Sequence, residues 1–164
     1  MVRREGLITV ALLEMRDCPA YAPLCADAPD PWAEQELAAE LEKPSSRCFA
    51  ARLDGEPAGF ACFSLFDQTA ELETVAVGTA LRGQGIAGAL LRTAFAALAE
   101  EGATRCLLEV RCSNAPALAL YQRLGFVRLA RRAGLFDRPR EDGFTMELGF
   151  APQRERDRGA LKKG

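Results

Sequence analysis

Apolar positions in this chain fall into short runs and helical stripes separated by turn residues, and their spacing predicts the order of the elements. Leu7 to Glu14 is a short apolar run that reads as a strand. Asp17 to Pro31, rich in Ala, Pro and Asp, predicts short helical turns and loop. Trp32, Leu37 and Leu41 form the apolar side of a short acidic helix over Trp32 to Lys43, stopped by Pro44. Arg47 to Leu53 and Pro57 to Phe66 are strands joined at Asp54-Gly55, a strong hairpin signal, and Thr69 to Val77 is the next strand. From Ile86 to about Glu100 two apolar stripes run side by side, Ile86, Leu90, Ala94 and Ala97 beside Leu91, Phe95 and Leu98. A helix apolar on two sides is one that is well covered.

Gly102 ends that helix, and Thr104 to Arg111 follows as a strand. There Cys106, Leu108 and Val110 face one way and Leu107, Glu109 and Arg111 the other. Asn114 is a good N-cap, Pro116 fits the first turn of the next helix, and Gly125 closes it at C′. Phe126 to Ala130 and Gly143 to Gly149 read as the last strands. Residues 151 to 164 carry mixed charge and few apolar side chains, which suggests a loose tail. The pattern is that of an α/β-type mixed sheet in one domain, residues 1 to 150, and 164 residues suit one domain better than two.

Composition narrows the class. Hydrophobic residues at 49% and charged residues at 27% fit a globular protein, not a disordered one, and no apolar run approaches the ~18 residues of a membrane span. Arg3 and Arg4 precede the first apolar run, but it is short and lacks a small-residue cleavage site, so it reads as a strand and not a signal peptide. The chain contains no histidine, which excludes a Ser-His-Asp triad, a Cys-His pair and a zinc site built on imidazole. The six cysteines include no CxxC pair, so no metal site or thioredoxin-like motif is expected, and they read as reduced thiols of a cytoplasmic protein. The charge is asymmetric: Met1 to Leu81 has 6 basic and 14 acidic residues, and Arg82 to Gly164 has 15 basic and 9 acidic. A basic half suits a phosphate-bearing ligand, but there is no dense basic stripe of the kind that binds nucleic acid.

The most chemical segment is Arg82-Gly83-Gln84-Gly85-Ile86-Ala87-Gly88, between a strand and a helix. Such a turn aims free backbone N–H groups at one point beside the positive end of the helix dipole, and its glycines allow close approach. That makes an anion site, or simply a tight helix cap. The Gly-Lys-Ser/Thr ending of a P-loop is missing, and so is the βαβ context of a dinucleotide fingerprint.

Val75-Ala76-Val77 followed by Leu81-Arg82-Gly83-Gln84-Gly85-Ile86-Ala87 resembles the acetyl-CoA signature of the GNAT N-acetyltransferases. Leu108-Glu109-Val110-Arg111-Cys112-Ser113-Asn114, with Ala119-Leu120-Tyr121-Gln122-Arg123-Leu124-Gly125-Phe126, resembles the RimI branch, the ribosomal-protein N-terminal alanine acetyltransferases. Pro31-Trp32 before an acidic helix and Glu141-Asp142 before Met146 match the same branch, so the resemblance runs from about Leu7 to Leu148.

This resemblance implies a GNAT fold, a mostly antiparallel mixed sheet whose strands Thr69 to Val77 and Thr104 to Arg111 splay to admit pantetheine. It implies acetyl-CoA as cosubstrate, with backbone groups of Val75, Ala76 and Val77 pairing with pantetheine. Pyrophosphate would be held by Arg82, Gly83, Gln84, Gly85, Ile86, Ala87 and Gly88, with Asn114 also touching CoA. It assigns Glu109 as general base and Tyr121 as general acid. From the residues alone, Glu109 also reads as a surface glutamate paired with Arg111 or another cation, and Tyr121 as a core tyrosine. Partial burial beside Leu107 would raise the carboxyl of Glu109 toward a useful value.

Glu71 and Glu73, on one face of the neighbouring strand, are a rival base and a candidate amine site. The partner implied is a protein N-terminus, with neither nucleic acid nor membrane. Near pH 7.5 an α-amine costs about 0.5 kcal/mol to deprotonate and a lysine about 4 kcal/mol, so a modest base suffices for an N-terminus. On reference values, proton transfer from tyrosine to a departing thiolate is uphill by about 2 kcal/mol. One departure stands out: Leu135-Phe136 occupies the place of a tyrosine pair near the expected peptide groove, so Phe136 is a candidate substrate contact. Two other readings remain, a GNAT enzyme acting on a lysine side chain or small-molecule amine, and a CoA-binding sensor without turnover.

Overall fold

The computed structural model describes residues 6–151, so the tail expected over 151 to 164 lies almost wholly outside the described residues. Seven strands and four helices are described: β1 Ile8–Leu12, α1 Cys18–Tyr21, α2 Glu34–Glu42, β2 Ser46–Leu53, β3 Glu56–Phe66, β4 Thr69–Val77, α3 Ile86–Glu100, β5 Arg105–Arg111, α4 Ala115–Leu124, β6 Val127–Phe136 and β7 Glu141–Gly149. Short 3-10 turns flank α1 and precede the glycine loop. The architecture is mixed α/β, as the element order predicts, and the sheet is mostly antiparallel, as the resemblance implies.

The chain groups into two compact units. One holds residues up to Leu65 together with Leu72–Ala97, and the other holds Phe66–Glu71 together with the chain from Leu98 onward. Strand order is β1-β2-β3-β4 in the first and β4-β5-β7-β6 in the second, β4 being divided between them.

In the first unit the Asp54-Gly55 turn carries φ of 50° and 84°, the left-handed pair a type I′ hairpin requires. It sets β2 against β3 in antiparallel register, Cys48 opposite Cys62 and Ala50 opposite Phe60. Alternation then sorts the side chains. Cys48, Ala50, Phe60 and Cys62 join Tyr21, Leu37 and the rest of the N-terminal helical layer in one core. On the odd-numbered face, Phe49 meets Phe63 and Phe63 meets Phe95 of α3, each pair edge-to-face at 6.0 Å between ring centroids. The double stripe of α3 has the predicted consequence: Ile86, Leu90, Leu91, Ala94, Phe95 and Leu98 are all buried.

In the second unit β5 pairs with β7 without a break from Arg105↔Gly149 to Arg111↔Gly143. Here the sequence reading falls short. β6 continues past Ala130 to Phe136, and β7 begins at Glu141 instead of Gly143. The first seven residues of β6 are exposed, so its backbone stays in the ladder with little apolar alternation to reveal it. α4 matches its sequence signals. Asn114 Oδ1 accepts from the Ala117 N–H at 3.3 Å, and Gly125 stands at φ 99° with its N–H returned to Gln122 and Tyr121. Among the described residues all six cysteines are free thiols, and no helix is long and apolar enough to cross a membrane.

Backbone packs closely at Gly59 in the first unit, where a Cβ would lie 2.6 Å from the Ala76 carbonyl oxygen and 3.2 Å from Val77 Cγ2. Gly59→Ala is expected to cost about 2 kcal/mol by overpacking, lowering the melting midpoint by roughly 4–8 °C for a domain of this size. Gly149→Ala, where an added Cβ meets nothing within 4 Å, serves as the control with a near-unchanged midpoint. Thermal denaturation followed by circular dichroism checks both, and equal midpoints would show that β3 does not press on β4 in this way.

Candidate active site

The glycine loop sits in the first unit. Gly83 and Gly85 both have φ of 79°, a left-handed backbone that only glycine takes freely, and an added Cβ at either would meet nothing within 4 Å. The space above the loop is therefore open. The first α3 bond of the ladder runs from Ala89 N–H to the Gly85 carbonyl, which leaves the N–H groups of the opening turn without intrahelical acceptors. An anion is the natural partner for such groups.

Two residues of this site escaped the sequence reading. Arg92 folds its guanidinium over Gly88, 3.0 Å from where a Cβ would stand, adding a cation at the mouth of α3. An i, i+4 search from the glycine loop would have found it. Asp27 lies 55 residues before Arg82 yet pairs with it at 3.3 Å, and also accepts from the Thr79 hydroxyl. That hydroxyl, with help from Arg82, holds the Asp27 carboxyl below the usual carboxylate range. No local signal links Asp27 to the loop, because the chain before α2 has no periodic pattern. Val75, Ala76 and Val77 form the end of β4, with Ala76 buried and braced by β3 at Gly59.

Glu109, Asn114, Tyr121 and Phe136 lie in the second unit. Glu109 projects from β5 with half its side-chain surface exposed, and Arg132 Nη1 approaches its carboxylate at 3.8 Å. The other half is covered, which is the partial burial expected beside Leu107. Arg111 is engaged elsewhere. Arg111 is only 4% exposed. It donates to the carbonyls of Asp137 at 2.9 Å and Pro139 at 2.8 Å, reaches Glu141 at 3.4 Å, and lies over the ring of Phe136 at 4.6 Å. Glu141 also accepts from the Ser113 N–H at 2.8 Å, and Ser113, first through its side chain and then through this bond, holds its carboxyl below the usual range.

Tyr121 is buried, packed on Phe126 at 5.6 Å between centroids. Burial pushes its phenol well above the ordinary tyrosine range, with the nearby Cys106 a lesser cause. Proton transfer from Tyr121 to a thiolate is thus more uphill than reference values imply. Cys106 and Glu109 alternate to opposite faces of β5, so Tyr121 and Glu109 approach that strand from its two sides. Asn114 spends its Oδ1 on the helix cap and keeps its amide N–H₂ for another partner. Glu71 and Glu73 are exposed on one face of β4 as expected. Glu73 lies close enough to Lys43 to favour its charge, behind the stronger contribution of Glu40 at 2.7 Å.

The model of the acetyltransferase (GNAT) family matches residues 10–126, across both units. The chain is 36% identical over 133 residues to the streptothricin acetyltransferase of Streptomyces lavendulae, covering 79% of this chain and 70% of the relative. It is 33% identical over 146 residues to the N-alpha-acetyltransferase RimI of Mycobacterium tuberculosis, covering 85% of this chain and 90% of that one. The crystal structure of the ribosomal-protein-S18-alanine N-acetyltransferase from Escherichia coli superposes with a TM-score of 0.80 at 31% identity, covering 90% of this chain and 97% of the other. With the family match covering most of the chain and relatives above 30% identity aligned over most of their length, the chain is a member of the GNAT acetyltransferase family, with the fold of that family.

Proposed function

We propose that this acetyltransferase moves the acetyl group of acetyl-CoA to the α-amine of a protein N-terminus, most specifically the N-terminal alanine of ribosomal protein bS18. The observation that carries this reading is similarity over nearly full length to enzymes named for that activity. The bS18-alanine N-acetyltransferase of Escherichia coli matches 85% of this chain and 96% of its own at 33% identity. The domain that does this spans residues up to about 150, the family match crossing both compact units.

The roles follow from the chemistry of the groups. N–H groups of Gly83, Gln84, Gly85, Ile86, Ala87 and Gly88 bind pyrophosphate, with Arg82 supplying charge. Backbone groups of Val75, Ala76 and Val77 pair with pantetheine as an added strand would, and the amide of Asn114 donates to CoA. Glu109 takes the proton of the incoming amine, directly or through one water. The neutral amine attacks the thioester carbonyl, a backbone N–H of β4 holds the oxyanion, and the proton that the nitrogen sheds as the amide forms returns through solvent to replace the one that Tyr121 gives to sulfur. Tyr121 donates its O–H to the sulfur as the C–S bond breaks; its raised pKa keeps the phenol protonated throughout the neutral range. Phe136 lines the peptide side, and Glu71 and Glu73 attract the cationic acceptor. No covalent enzyme intermediate is required, so the cysteines stay out of the reaction.

One observation favours a second reading. The streptothricin acetyltransferase relative, at 36% identity, is named for a small-molecule acceptor. A small amine is therefore the alternative substrate.

The test is acetyl transfer from acetyl-CoA to the bS18 N-terminal hexapeptide, beside an N-blocked lysine peptide and streptothricin, with mass spectrometry locating the added acetyl group. Acetylation at the free α-amine alone is expected, and Glu109→Gln should lower kcat by about 100-fold or more. Transfer to streptothricin or to the blocked peptide in place of the α-amine would refute the N-terminal reading.

Tyr121→Phe keeps the ring and its contact with Phe126 but removes the donor. It should cost about 10–100-fold in kcat while leaving the KM for acetyl-CoA near wild type. A wild-type kcat in steady-state assays would remove Tyr121 from the mechanism.

A further inference from the structure

We infer that Thr145 is a positioning residue for Glu109, a role that rests on the reading of Glu109 as the base. Thr145 Oγ1 is buried and has no hydrogen-bond partner. A hydroxyl in that state has lost water and gained nothing, so an unmet donor beside an active site points to a partner in another state of the enzyme. β7 lies between β5 and β6, and its register gives Thr145 two directly opposed neighbours, Glu109 on β5 and Ala130 on β6. Directly opposed residues share a sheet face, with Cβ atoms about 5 Å apart. The side chain of Ala130 has no polar atom. Along β7 itself, Gly143 has no side chain and Glu147 is engaged by Arg105 at 3.2 Å. The carboxylate of Glu109 is the acceptor that remains beside the Thr145 hydroxyl.

In the free protein that carboxylate leans toward Arg132, and the contact is weak. At 3.8 Å, with the two side chains 58% and 50% exposed, it is an ion pair and not a hydrogen bond. An incoming N-terminal amine needs the same oxygen that Arg132 approaches. When Glu109 turns from Arg132 back over the sheet, the Thr145 O–H donates to one carboxylate oxygen and fixes the group, while the other oxygen faces the amine. Arg132 then holds the resting orientation and Thr145 the working one.

Thr145→Val tests this, because valine keeps the shape and removes the donor. The melting midpoint should equal or exceed that of the wild type, since a buried unpaired hydroxyl has gone. With the bS18 hexapeptide and acetyl-CoA, kcat should fall about tenfold with both KM values unchanged, the loss of roughly one oriented hydrogen bond. Thr145→Ser, which retains the hydroxyl, should return kcat to within about twofold. In a Glu109→Gln background Thr145→Val should have no further effect, because the two act as one unit. A wild-type kcat for Thr145→Val, or a loss that serine does not restore, would overturn the role of Thr145. If Glu109→Gln is inactive while Thr145→Val is fully active, Thr145 alone is refuted. If both are fully active, the assignment of Glu109 as base fails as well.

Discussion

The second unit is organised around one buried guanidinium. Arg111 ends β5, where alternation alone would put it beside Glu109 in solvent, yet it is almost wholly enclosed. Burying a cation costs several kcal/mol unless its donors are met. Here they are met by two carbonyls of the turn between β6 and β7, by Glu141 and by the face of Phe136. The β5–β7 ladder brings the turn to the end of β5, and because its residues Asp137 to Arg140 are polar or proline and bring no core side chain, it is the guanidinium that it closes over. Glu141 extends the arrangement by accepting the Ser113 N–H, immediately before the cap that starts α4. Thus one side chain fixes the Phe136 side of the hairpin and, through Glu141, the entry to the helix that carries Tyr121. The same engagement explains why Arg111 is not the counter-ion of Glu109, a part that falls to Arg132.

Much of this was legible in the sequence, and the failures share a cause. The Asp54-Gly55 hairpin, the double stripe of α3 and the Asn114 and Gly125 caps are local signals that local physics obeys. The glycine loop was legible for the same reason, as Gly83 and Gly85 need the left-handed backbone they adopt. What sequence reasoning missed depends on pairs far apart in the chain. The second half of β6 is held by pairing with β7 and not by its own hydrophobicity. Arg111 is buried by a turn 26 residues later, and Asp27 reaches Arg82 over 55 residues.

The residues proposed as acid and base sit in contrasting environments. Tyr121 is buried and held protonated, a donor that water cannot compete with and that does not ionise near neutrality. Glu109 remains half in water, with the exposed Arg132 nearby. Groups whose surroundings separate them so clearly can take opposite parts in one proton economy. The cost falls on Tyr121, whose high pKa makes full transfer to a thiolate unfavourable. A hydrogen bond to sulfur that strengthens as charge develops, followed by protonation of the thiolate from solvent, asks less of it than complete transfer.

This division bears on the acceptor. At about neutral pH an α-amine needs only about 0.5 kcal/mol to become neutral and a lysine side chain about 4 kcal/mol. To work on lysine, an enzyme must supply the difference by stripping water from the amine or from the base. The proposed base Glu109 keeps half its surface in solvent, and Arg132 stands 3.8 Å from it, so with that base the protein does little of that stripping. Such a site is matched to an amine that is already near its own neutral point and mainly needs to be oriented. That is the property of a protein N-terminus, and with Glu109 as the proposed base it favours the α-amine over the lysine side chain.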